Sequence, residues 1–235
     1  MLRRLPHPRR GFTQGLVLRG TTVWESTGLH GQSSLCRYEL GASEPERSAP
    51  VDPDLFAEGI CHTGDHLWQL TWQERVALRW DPLTLELLET VPYNREGWGI
   101  CEVEDRVVTS DGSSELVWRD PRALQPLGLI KVRLAGRRLD GLNDLAWSGG
   151  RIWANVWPRP LIAGIDPASG EVTEVVDATA ARERIPGDPD AVMNGVVVPT
   201  AGEMLITGKR WRFLHHVRLA ESRRGDRRRE RLLSG

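Results

Sequence analysis

The sequence predicts an all-β protein, a five-bladed β-propeller with four-stranded antiparallel blades and a ring closed by an N-terminal strand. Three observations predict it. The chain of 235 residues carries 24 Gly and 15 Pro between short apolar runs, which marks many turns and few long elements. One short motif recurs five times at spacings of 44, 40, 45 and 51 residues. Inside each copy the distance from the leading residue to the end of a second apolar run is 14 or 15 residues.

The first strands are led by Gln14, Glu58, Trp98, Asn143 and Asn194, as in Gln14-Gly-Leu-Val-Leu18 and Asn194-Gly-Val-Val-Val198. The second strands are Thr22 to Gly28, His66 to Trp72, Arg106 to Gly112, Arg151 to Trp157 and Glu203 to Lys209. Polar turns such as Gly64-Asp65 and Gly149-Gly150 join each pair into an antiparallel hairpin. Third strands follow, three of them ending in Asp81-Pro82, Asp120-Pro121 and Asp166-Pro167, a turn-forming pair. Fourth strands fit Leu85 to Val91, Leu127 to Leu134 and Glu171 to Val176. The fifth unit has no obvious fourth strand after Val217, so the segment near Leu2 to Leu5 is expected to supply it and leave no free sheet edge. The propeller is thus expected to fill residues 1–219 as a single domain, and the Arg-rich segment 220–235 to be a disordered tail.

Composition excludes several classes of function. Thirty-one Lys and Arg balance 32 Asp and Glu, so the molecule offers no overall field for nucleic acid or an acidic membrane. No apolar run approaches the roughly 18 residues of a membrane helix. Residues 1–10 lack the apolar stretch of a signal peptide, which predicts a cytoplasmic protein, or a secreted or periplasmic one if a leader has been removed; a monomer is expected. Cys36, Cys61 and Cys101 form no C-x-x-C pair, and the six histidines fall outside the repeat's key positions, so neither a metal nor another cofactor is expected. Gly97-Trp-Gly99 lacks the third glycine of a dinucleotide fingerprint, and no G-x-S-x-G occurs.

The start of a hairpin's first strand lies beside the end of its second, so two rings of equivalent residues share one mouth. The inner ring reads Gln14, Glu58, Trp98, Asn143 and Asn194; its neighbour reads Gly28, Trp72, Gly112, Trp157 and Lys209. Indoles there give a dry floor for a small group, and the carboxylate, ammonium and amides give one candidate base and convergent donors. Lys209 is one of only two lysines, where a compact point charge suits an oxyanion. Trp24, Trp68 and Trp153 are expected between blades, and Cys61 and Cys101 as buried small hydrophobes.

The segments Phe12-Thr-Gln-Gly15, Glu25 to Ser34, Glu58-Gly59, Gln69-Leu-Thr-Trp72, Glu96-Gly-Trp-Gly99, Ala154-Asn-Val-Trp157, Asn194-Gly195 and Thr207-Gly-Lys209 closely resemble the plant and bacterial type of glutaminyl-peptide cyclotransferase. The resemblance runs from about Phe12 to Leu219. It implies a five-bladed propeller that converts the N-terminal glutamine of peptide or protein substrates to pyroglutamate and releases ammonia, without the zinc of the animal type. It also implies Glu58 as acid and base, Gln14, Asn143 and Lys209 as its polar partners, and Phe12, Phe56, Trp72, Trp98 and Trp157 as the apolar pocket. The chain departs from the family pattern at Ala57, where Gly is usual, and at Asp144, where Glu is usual. Two rivals predict other outcomes: a noncatalytic propeller that captures peptide N-termini or a small ligand, and an amidohydrolase that yields N-terminal glutamate. Glu25 and Glu96 are the carboxylates next placed to act if Glu58 does not.

Overall fold

The computed structural model describes residues 1–220, so the expected tail lies, apart from Ala220, outside the described residues. Among the described residues, twenty-two strands and two single turns of 3-10 helix make up the regular structure. Strand β1 (Arg3–Pro6) precedes the first blade, formed by β2 (Thr13–Arg19), β3 (Thr22–Thr27), β4 (Ser34–Glu39) and β5 (Arg47–Pro50). The second blade is β6 (Ala57–Thr63), β7 (His66–Thr71), β8 (Val76–Trp80) and β9 (Leu87–Pro92). The third is β10 (Gly99–Val103), β11 (Arg106–Ser110), β12 (Glu115–Arg119) and β13 (Pro126–Lys131). A two-stranded hairpin, β14 (Arg133–Leu134) and β15 (Arg137–Arg138), then leads into the fourth blade: β16 (Leu142–Ser148), β17 (Arg151–Val156), β18 (Leu161–Ile165) and β19 (Val172–Asp177). The fifth contributes β20 (Met193–Thr200), β21 (Glu203–Gly208) and β22 (Phe213–Arg218), and β1 completes it by pairing antiparallel with β22, Leu5 opposite Leu214.

The fourth strands differ from expectation. In blade 2 the turn opened by Asp81-Pro82 takes up Leu85, whose N–H donates to the Asp81 carbonyl at 3.0 Å, so β9 begins later. Leu124 closes the equivalent turn on Asp120 at 2.9 Å and Gly170 on Asp166 at 2.8 Å. Leu85 and Leu124 both hold φ near +55° there, which costs roughly 1–2 kcal/mol for a residue with a Cβ. Burial of both leucines offsets that cost. In blade 3 the run expected to reach Leu134 stops at Lys131, and the chain turns into the hairpin instead.

One apolar core fills each of the five seams between blades. Trp24 packs with Ile60, Leu67 and Leu78; Trp68 with Ile100 and Val107; Trp153 with Val196, Met204 and Trp211. The first two indoles also donate across the seam to the turns of the next blade, Trp24 to the Pro82 carbonyl and Trp68 to that of Pro121, each at 2.9 Å. The Asp-Pro turns therefore anchor neighbouring blades as well as joining strands. Cys61 and Cys101 are buried, and burial pushes both thiols up, away from the reactive thiolate.

Around the axis the inner strands touch backbone to backbone. A Cβ on Gly59 would stand 2.7 Å from Gly99 Cα, and one on Gly99 would overlap the Asn143 carbonyl, so only glycine permits this approach. The ring continues where Asp144 Oδ2 accepts the Val196 N–H at 2.9 Å and closes where Asn194 Nδ2 donates to the Thr13 carbonyl at 3.2 Å. Ala57 and Asp144, the two departures from the family pattern, are both buried in this region.

Candidate active site

Four of the five inner strands break register with their partners at the leading residue: between Thr13 and Gly15, Ala57 and Ile60, Leu142 and Leu145, and Met193 and Val196. A bulge adds an unpaired residue and re-aims its side chain. Gln14, Glu58, Asn143 and Asn194 each fall inside one of these bulges. In blade 3 the strand begins only at Gly99, and Trp98 stands before it. The second ring lies at the same level: the N–H groups of Gly28, Trp72, Trp157 and Lys209 donate to the carbonyls of Phe12, Phe56, Gly141 and Val192 at 2.9, 3.0, 2.7 and 2.9 Å. Each acceptor is two residues before its blade's leader, so the sequence repeat translates into one shared mouth.

Gln14, Glu58, Asn143 and Asn194 are all buried there. Asn194 Nδ2 donates to Gln14 Oε1 at 2.9 Å, and Gln14 Nε2 donates to Glu58 Oε1 at 2.8 Å. This relay fixes the orientation of the Gln14 amide and occupies one oxygen of the carboxyl. Glu58 Oε2 and Asn143 Oδ1 have no partner, although both are buried. Buried polar atoms are rarely left so, and an open acceptor pair in a mouth fits a ligand that brings its own N–H groups. Burial pushes the Glu58 carboxyl well above the usual range; the Lys209 charge opposes this, and nearby carboxylates reinforce it. Burial pushes the Lys209 ammonium down, against the pull of Glu58. No ion pair joins the two among the described residues, and Lys209 Nζ instead lies 4.5 Å from the centroid of the Phe12 ring.

The aromatic residues form two groups. Phe12 meets Phe56 edge-on at 6.2 Å between centroids, and Phe56 meets Trp72 at 5.6 Å. Trp98 meets Trp157 at right angles at 5.7 Å, with Trp157 41% exposed at the rim. Glu96 joins the groups: its Oε2 accepts from Trp72 Nε1 at 3.1 Å and from Trp98 Nε1 at 3.4 Å. All nine side chains expected from the sequence therefore lie at this end of the channel, on the two rings or the residues that pair with them. Sequence reasoning missed the clamp by Glu96, which sits in a connector outside the repeat frame, and the tie from Asn194 to Gln14.

Glu25 has a different surrounding. Its carboxylate accepts from Thr13 Oγ1 at 2.7 Å and Tyr38 OH at 2.9 Å, and it pairs with His7 Nε2 at 2.7 Å. His7 Nδ1 lies 2.8 Å from the Trp211 carbonyl oxygen, so this network ties the segment after β1 to blades 1 and 5. Among the described residues no three His, Cys, Asp or Glu side chains converge closely enough to ligate a metal ion.

Comparison with known proteins follows the same lines. Residues 1–219 match a family model described as glutamine cyclotransferase. A glutaminyl-peptide cyclotransferase of Arabidopsis thaliana is 30% identical over 223 residues, covering 92% of this chain and 70% of that one. The crystal structure of Myxococcus xanthus glutaminyl cyclase superposes with a TM-score of 0.85 at 35% identity, over 92% of this chain and 94% of that one. A chain of Kuenenia stuttgartiensis hydrazine synthase, at 13% identity and a TM-score of 0.51 over 83% of this chain and 55% of that one, shares the fold alone.

Proposed function

The chain belongs to the glutamine cyclotransferase family, and from that premise we propose that it converts the N-terminal glutamine of peptides to pyroglutamate with release of ammonia, with Glu58 moving the protons and no metal taking part. The observation that carries the reading is the Glu58 carboxyl: buried, oriented by Gln14 through one oxygen, with the other oxygen open to the mouth.

Cyclisation requires the neutral α-amine to attack the side-chain amide carbon of the same residue. The N–C bond of the ring forms, the bond from that carbon to the departing nitrogen breaks, and one proton must pass from the first nitrogen to the second. Glu58 Oε2 accepts it from the amine and returns it to the leaving group, which departs as ammonia. A carboxyl lifted by burial is a stronger base than an ordinary glutamate and a better match to both transfers.

Between these steps the amide oxygen carries negative charge. Lys209 and the Asn143 amide, both buried, are the donors assigned to this charge, and one such donor contributes about 3 kcal/mol in comparable sites. Phe12, Phe56, Trp72, Trp98 and Trp157 wall the substrate side chain, fold it back toward its amine and exclude the water that would hydrolyse it.

Product identity tests the reading. A short peptide beginning with glutamine, incubated with the protein and a chelator, is expected to release ammonia and to end with a blocked N-terminus by mass analysis. Ammonia with an N-terminal glutamate would make the protein an amidohydrolase, and binding without turnover would make it a recognition propeller.

A further inference from the structure

The reaction leaves one charged feature of the mouth face unused. The connector from β13 to β16 rises as the hairpin β14–β15 and carries Arg133, Arg137 and Arg138, which with Lys131 at the end of β13 are all exposed. The equivalent connector 51–56 holds no cation, and connector 93–98 holds only Arg95. Arg95, Lys131, Arg133 and Arg138 line a cleft of about 180 Å³, with Glu115 and Asp140 as the acids in its wall. Arg95 is held by Asp111 at 2.7 Å and reaches Glu115 at 3.4 Å. Lys131, Arg133 and Arg138 pair with no carboxylate among the described residues, and Arg133 Nη1 donates only to the Gly136 carbonyl at 3.2 Å.

This cleft adjoins the aromatic wall of the candidate active site. The Gly141 N–H donates to the Gly112 carbonyl and the Trp157 N–H to the Gly141 carbonyl, each at 2.7 Å. Gly112 in turn lies flat against Trp98. Gly112 and Gly141 thus form a low backbone ridge, with the Trp98–Trp157 pair on one side and the cationic cleft, bordered by Ser113 and Asp140, on the other. A peptide whose first residue occupies the mouth and whose chain crosses this ridge advances about 3.3–3.6 Å per residue, so its next few side chains pass over the cleft.

We propose that the cleft is a subsite for carboxylate side chains downstream of the N-terminal glutamine, so that the enzyme selects peptides with Asp or Glu a few residues into the chain. The inference rests on the reading of Glu58 and its mouth given above. Cations without partners beside a site attract and orient an anionic tail, and the effect falls with salt. The small volume and the acids in the wall suit isolated carboxylates better than a long polyanion.

The test compares peptides of sequence Gln-Gly-Gly followed by three Glu, three Ser or three Lys, with wild type and the triple variant Lys131→Ala/Arg133→Ala/Arg138→Ala. The Glu tail is expected to lower KM about tenfold relative to Ser at low salt, because two or three exposed pairs each add a few-fold, with kcat unchanged. The preference should vanish in the triple variant and in high salt, while the Ser-tailed peptide keeps its KM. Arg138→Glu alone should raise KM for the Glu tail and lower it for the Lys tail relative to wild type, opposite shifts that a general loss of structure would not produce. Equal KM for the three tails in wild type, or a preference that survives in the triple variant, would overturn the proposal. Anisotropy of the labelled Glu-tailed peptide on Glu58→Gln reads the subsite without chemistry. Tail-dependent binding there, with no turnover of any peptide by wild type, would contradict the catalytic reading alone.

Discussion

Gln14 and Glu58, separated by 44 residues, are joined by a 2.8 Å hydrogen bond that spans the first two blades and leaves one carboxylate oxygen open. The spacing is one blade, so the repeat that builds the fold also brings base and partner together. Asn194 holds Gln14 from the fifth blade, which makes the site depend on closure of the ring. Replacing Asn194 with Leu should therefore free the Gln14 amide to rotate and lower kcat about tenfold, close to the value of one hydrogen bond, and should also lower the melting temperature, because the buried Thr13 carbonyl loses its donor. Steady-state kinetics beside a thermal melt would check this.

Lys209 lowers the Glu58 pKa while burial raises it, so its removal has a signed consequence. Glu58 works as a base in its ionised form, and activity rises with pH through its pKa, on a limb placed above the ordinary 4.5 by burial. Lys209→Met should move that limb further up and cut kcat by about a hundredfold or more as one oxyanion donor is lost. Lys209→Arg keeps the charge and should leave the limb near its original pH, though the bulkier fork should still reduce kcat. A pH profile of kcat for the three proteins distinguishes the two effects.

Glu96 should behave as a positioning residue. It accepts from two indoles and touches neither Glu58 nor Gln14. Glu96→Ala releases Trp72 and Trp98 together and should raise KM about tenfold, with a smaller change in kcat. Glu96→Gln, which retains an acceptor oxygen, should recover part of the loss.

The His7–Glu25 pair predicts how stability varies with pH. Burial alone would push His7 down, but the Glu25 charge and hydrogen bond outweigh it and raise the imidazole above 6.5. Burial would push Glu25 up, but His7, Thr13 and Tyr38 together hold it below 4.5. The raised His7 contributes stability that is full below 6.5 and lost as pH rises through its folded value. The lowered Glu25 contributes stability that is full above 4.5 and lost as pH falls through its folded value. The pair is therefore strongest from about 4.5 to 6.5. His7→Ala strands a buried carboxylate and should cost about 3–5 kcal/mol, most of it inside that window. Denaturant melts of both proteins across pH would show it.

Much of this was legible in the sequence because a propeller writes its geometry as a period. Equal offsets from Gln14 to Gly28 and from Glu58 to Trp72 fix which residues share the mouth, and closure by Arg3–Pro6 follows from the missing strand after β22. Features between the repeats were not legible. Arg133 and Leu134, the first strand of the hairpin, fall inside the strand-like run Leu127 to Leu134, and the turn at Ala135-Gly136 that ends it leaves no trace in the period. His7 lay outside both rings, and its partner Glu25 is a contact made only when the ring closes. The bulges at Glu58 and Asn143 depend on backbone register, which the side-chain pattern does not encode.

The most direct measurement of the central claim is the turnover number of Glu58→Gln against wild type on a peptide beginning with glutamine, with ammonia and product mass followed together. The account predicts a fall of about a hundredfold or more with peptide binding retained, because the amide keeps the shape of the mouth and cannot carry the proton. Turnover within a few-fold of wild type, with pyroglutamate still the product, would contradict it and remove Glu58 from the chemistry.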